Sequence, residues 1–145
     1  MLISNDKERF DYEILETLEA GVVLQGQEVK AIRTGKASIK GSYVKIFDNE
    51  AYLLGAQIAP YQPGNTPKDY DPQRTRKLLL KKSELKYLLG KSQERGLTLI
   101  PLKLYDHHGL IKLEIGVGKG KKKYDKREVT SKREVERTMR RALKN

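Results

Sequence analysis

The sequence predicts a mainly β, single-domain chain with short helices and a basic C-terminal arm. Two pairs of strand-like segments joined by short polar turns, an apolar share sufficient for one core, and charge concentrated at one end of the 145 residues predict it. Taken in chain order, Phe10, Ile14, Leu15 and Leu18 are spaced like one helix face with Gly21 as a stop, whereas Val22 and Val23 read as strand. Pattern alone leaves that segment open. Lys30, Arg33 and Lys36 recur every third residue after Gly26, one stripe of a short helix on which Glu28 is the lone acid. Tyr43 to Phe47 and Ala51 to Ala59, separated by Asp48-Asn49-Glu50, predict a hairpin. Pro60, Pro63, Pro67 and Pro72, with Gly64 and Asn65, predict a long surface loop before Arg74. Ser83 is placed to cap a helix with Leu85, Leu88 and Leu89 inward, ending near Gly96. Leu97 to Tyr105 and Leu110 to Val117 alternate apolar and polar residues around Asp106-His107-His108-Gly109, a second antiparallel hairpin, with Pro101 marking an edge or a bulge.

With 37% hydrophobic residues plus 12 glycines, the chain reaches the apolar share of a folded domain, so disorder throughout is excluded. A chain of this length has no room for separate cofactor and substrate domains. The absence of cysteine removes disulfides, thiolate zinc sites and cysteine nucleophiles together. No stretch approaches the roughly 20 apolar residues of a membrane span, and Met1 to Phe10 lacks the features of a signal peptide, so the expected location is the cytoplasm. The net charge of +11 is uneven: residues 1 to 118 carry 18 basic and 15 acidic side chains, residues 119 to 145 carry 12 and 4. This division predicts a folded body, 1–118, and a tail, 119–145, that is disordered when free. Either the tail is a solvated extension or it grips a polyanion; Lys119-Gly120-Lys121-Lys122-Lys123 favours the second.

His107 and His108 are adjacent, and on a strand end they point to opposite sides, so they read as turn residues and no metal site is expected. Gly116 to Lys121 lacks the spacing of a phosphate loop. With no histidine left to serve as a base and no carboxylate pair in a cleft pattern, neither an enzyme nor a cofactor is expected. Arg74, Arg76, Lys77, Lys81 and Lys82 flank Leu78-Leu79-Leu80, so alternate residues could anchor the segment while guanidinium groups face out toward phosphates; a plain solvated face is the competing reading.

Gly26-Gln27-Glu28-Val29-Lys30-Ala31-Ile32-Arg33, then Asp71-Pro72-Gln73-Arg74-Thr75-Arg76-Lys77-Leu78-Leu79-Leu80, then Gly118-Lys119-Gly120-Lys121-Lys122-Lys123-Tyr124-Asp125-Lys126-Arg127 closely resemble the SmpB family of transfer-messenger-RNA-binding proteins, with a match running from about Asn5 to the C-terminus. The resemblance implies an OB-fold-like closed antiparallel β-barrel with short peripheral helices, and assigns Tyr12 to Leu24 mainly to strand. It implies binding to the tRNA-like domain of transfer-messenger RNA (SsrA RNA) and delivery of that RNA to stalled ribosomes for trans-translation. The implied RNA contacts are Asn5, Arg9, Glu28, Lys30, Arg33, Lys36, Arg74, Arg76, Lys77, Lys119, Lys121, Lys122 and Lys123. Tyr124, Asp125, Lys126 and Arg127 are implied to reach the decoding centre and 16S rRNA of the small subunit, on a tail that becomes helical when bound and enters the empty mRNA channel. Tyr124 stands where relatives often carry histidine, so its implied role is stacking and hydrogen bonding. A monomer is expected. The competing class is a ribosomal or ribosome-assembly protein whose tail threads permanently into rRNA.

Overall fold

In the computed structural model, residues 3 to 120 are described, together with Arg137, Met139 and Arg141. The elements are β1 (Ile3–Ser4), α1 (Asp6–Asp11), β2 (Tyr12–Val22), α2 (Gly26–Arg33), β3 (Ala37–Ser38), β4 (Tyr43–Phe47), β5 (Glu50–Leu54), β6 (Gln57–Ile58), β7 (Arg76–Leu79), α3 (Lys82–Gln93), β8 (Leu97–His107) and β9 (Leu110–Gly120). A 3-10 turn at Pro63–Asn65 lies in the proline-rich loop. Seven strands form one antiparallel sheet in the order β1-β8-β9-β2-β7-β5-β4, and β3 pairs with β6 apart from it.

The β8–β9 hairpin follows from its side chains. Leu97, Leu99 and Leu104 meet Ile111, Leu113, Ile115 and Val117 on the buried face, while Lys112 and Glu114 stay toward solvent. Pro101 sits where the register shifts between Pro101 and Lys103, so the residue that cannot donate to a ladder marks a bulge. The β4–β5 hairpin closes over Asp48 (φ 52°) and Asn49 (φ 61°), both in the left-handed region that a tight two-residue turn demands. The expected continuous strand from Ala51 to Ala59 is broken at Gly55 (φ 79°), which sends Gln57–Ile58 to pair with Ala37–Ser38 instead.

The ambiguous N-terminal stretch is β2, which pairs with β9 along most of its length and with β7 at Gly21 and Val22. The helix-like spacing was misleading because Phe10 belongs to the short helix α1 and is 77% exposed, outside any buried stripe. Helix α3 is capped at Lys81, two residues before the expected Ser83, where the Glu84 carboxylate accepts the Lys81 backbone N–H at 2.9 Å. Its Leu88, with Ala31 and Ile32 of α2, joins the core built on the inward sheet residues.

The sheet is not closed by its ladders: β1 and β4 are its two ends, and β4 runs near β8 without pairing to it. In the tail, Arg137, Met139 and Arg141 are helical; Met139 is fully buried and the two arginines are exposed.

Candidate RNA interface

Helix α2 is fixed to the body by its one acid. The Gln25 N–H donates to Glu28 Oε1 at 2.8 Å, closing the helix N-terminus, and Arg74 Nη2 donates to the same oxygen at 2.5 Å. Glu28 Oε2 accepts from Arg76 Nη2 at 2.6 Å and from Arg74 Nε and Arg76 Nε at 3.2 Å, with the Tyr70 hydroxyl also 3.2 Å away. Arg76 Nη1 donates to the Ala56 carbonyl at 2.8 Å, and the Tyr70 hydroxyl to that of Ile58 at 2.8 Å. Glu28 and Arg76 are both fully buried. Burial by itself would raise the Glu28 carboxyl, but hydrogen bonds from Arg74, Gln25 and Arg76, with the Arg76 charge, outweigh it and hold it below the ordinary carboxylate value. Burial and the Glu28 charge push the Tyr70 hydroxyl up.

Three residues expected to contact RNA are buried in the structure. Glu28 has both carboxylate oxygens committed inside the protein, and Arg76 is interior because it shares a strand face with Leu78, while Lys77 and Leu79 point out. Asn5 is also buried; its amide donates to the carbonyls of Pro101 (3.0 Å) and Ile39 (3.4 Å), tying the chain ahead of α1 to β8. Parity with Leu78 and the presence of one acid on α2 were the signals for the Glu28–Arg76 pair.

The remaining basic residues lie outside this network or at its edge. Lys30 and Lys36 both approach the Tyr61 ring, at 6.0 and 5.6 Å from its centroid, so the end of α2, the turn after it and the proline loop share one basic and aromatic surface. Arg74 keeps 29% of its side chain exposed. Arg33 donates to the Gly109 carbonyl at 2.8 Å and pairs with Asp106 at 3.0 Å, clamping the β8–β9 turn beside α2. Lys77 pairs with Glu50 at 3.2 Å, Arg9 with Glu114 at 2.5 Å, and Lys119 is exposed near the end of β9. Tyr61 and Tyr70 were missed by sequence reasoning; tyrosines inside a proline-rich loop were the available signal. Lys121, Lys122, Lys123, Tyr124, Asp125, Lys126 and Arg127 lie outside the described residues. Among the described residues no cluster of three or more His, Asp or Glu side chains could hold a metal ion. No described helix is long and apolar enough to cross a membrane.

The family model described as SmpB protein matches residues 2–145. An SsrA-binding protein of Cupriavidus pinatubonensis is 51% identical over 143 residues, covering 99% of this chain and 95% of the relative. Another, from Trichodesmium erythraeum, is 46% identical over 144 residues, covering 99% and 92%. A solved structure described as "tmRNA-SmpB: a journey to the center of the bacterial ribosome" contains a similar chain with a TM-score of 0.70 and 49% identity, over 85% of this chain and 86% of that one. Matched along nearly its whole length by sequence and over most of it by fold, the chain belongs to the SmpB family.

Proposed function

We propose that this protein binds the tRNA-like domain of transfer-messenger RNA and delivers it to stalled ribosomes, where trans-translation tags the nascent chain and frees the ribosome. The observation that carries this reading is the near-complete match to SsrA-binding proteins. The surface formed by Lys30, Lys36, Tyr61, Arg33 and Arg74 supports it, because basic forks interleaved with an aromatic ring suit the phosphates, riboses and exposed bases of a structured RNA. Arg9, Lys77 and Lys119 are further RNA contacts of this reading, while Glu28 and Arg76 anchor α2 and Asn5 ties the chain ahead of α1 to β8.

The proposal includes a division of labour. Residues 1–118 form the RNA-binding body, an OB-like barrel in which β4 lies beside β8, and 119–145 form the ribosome-binding tail. Lys121, Lys122 and Lys123 continue the RNA contact; Tyr124, Asp125, Lys126 and Arg127 work at the decoding centre, with the tail in the empty mRNA channel. The protein acts by binding, in the cytoplasm, without catalysis. The test is filter retention of the tRNA-like domain against a duplex of equal length at physiological salt, by the full chain. Clear preference for the tRNA-like domain is expected. Equal affinity for both RNAs, together with stable residence on all ribosomes, would instead support a structural ribosomal protein.

A further inference from the structure

The outward positions of β8 beyond its bulge carry a column of rings. Lys103 Nζ stands 5.2 Å from the Tyr105 centroid, Tyr105 stacks near His107 at 6.4 Å with 29° between planes, and His107 lies 4.4 Å from His108 with 34° between planes. The two histidines were expected on opposite sides of a strand end. They meet because His108 adopts a left-handed conformation (φ 53°), followed by Gly109 (φ 84°), as a two-residue hairpin turn requires.

The column is held from below and from the side. Glu19 of β2 accepts the Tyr105 hydroxyl and lies 3.1 Å from His107 Nδ1. Asp106 Oδ1 accepts the Gly109 N–H at 2.9 Å, and Arg33 grips both Asp106 and the Gly109 carbonyl. The upper ring, His108, is exposed. Folding gives no reason for a ring at this position, since asparagine is the residue a left-handed first turn position favours. An exposed ring seated against a second ring, beside the Arg33 end of the basic α2 surface, has the form of a stacking platform.

We propose that the β8–β9 turn is a base-stacking contact, in which His108, seated on His107, receives the face of an unpaired nucleobase of the bound RNA. This rests on the RNA-binding reading above. It extends the interface past Arg33 to the hairpin tip and requires a nucleotide splayed out of its helix, because a paired base offers no free face.

The experiment measures binding of the full chain to the tRNA-like domain by fluorescence titration for three variants. His108→Asn keeps the turn chemistry and removes the ring; it should bind about 5- to 100-fold more weakly, the range for loss of one stacked base, with an unchanged melting temperature. His108→Phe keeps a ring face and should bind within about two-fold of the parent. Parent-like binding by His108→Asn overturns the proposal. So does a loss in His108→Phe as large as in His108→Asn, which would make the contact an imidazole hydrogen bond or charge. Lys30→Ala with Lys36→Ala separates the two levels: parent-like affinity in that variant would dismiss the basic surface whatever His108 does.

Discussion

Replacing Glu28 by glutamine tests the buried network at its centre. The shape is kept, but one oxygen becomes an NH2 group, which confronts guanidinium donors with a donor. Arg74 can turn its partly exposed head to water; Arg76 is fully buried and cannot, so its charge loses its counter-ion in place. Removing one partner of a buried ion pair costs about 3–5 kcal/mol. That is a large part of the roughly 5–15 kcal/mol by which a domain is stable. At about 3–4 °C per kcal/mol for a chain of this size, the melting temperature should fall by about 10–20 °C. Urea unfolding followed by circular dichroism gives the free energy directly. Adding Arg76→Met to Glu28→Gln should recover much of the loss, since the orphaned charge is then gone. A loss below about 1 kcal/mol accompanied by weakened RNA binding would refute the reasoning and return Glu28 to the RNA surface.

Three further outcomes are expected. Because the folded Glu28 carboxyl lies below its unfolded value of about 4.3, its contribution is present above that pH and is lost as pH falls through the lower folded value; the acid limb of a stability–pH curve should therefore be shallower in Glu28→Gln. Gly118→Ala would place a Cβ 2.4 Å from Ile100 Cδ1 and 3.3 Å from Tyr12 Cβ, where Ile100 is itself buried, and should destabilise by about 1–3 kcal/mol in urea titrations. Lys30→Ala with Lys36→Ala should reduce the slope of log affinity against log salt by about 2 if each lysine neutralises one phosphate; an unchanged slope would remove them from the interface.

Strand β9 was legible because Ile111, Leu113, Ile115 and Val117 carry a period of two that no helix would produce, whereas on β8 the expected common face of Ile100, Leu102 and Leu104 is split by the bulge at Pro101. Strand β2 was not, since its inward positions are only partly buried and its first apolar neighbour, Phe10, is a solvent-exposed helical residue. For the site, charge and spacing pointed to the right segments and misjudged depth. Arg74 and Arg76 look alike in sequence and both bind Glu28, yet Arg76 lies on β7 and faces inward with Leu78, whereas Arg74 precedes the strand and keeps part of its side chain exposed. The relation between His107 and His108 depends on a left-handed turn residue, which local alternation cannot anticipate.

The central claim is tested most directly by peptide-tag addition in a reconstituted translation reaction stalled on a truncated message, supplied with transfer-messenger RNA and with or without this protein. The account predicts tagged nascent chains only when the protein is present. It also predicts that Tyr124→Ala with Lys126→Ala and Arg127→Ala abolishes tagging while binding to the RNA is kept. Tagging that proceeds equally without the protein would contradict the account.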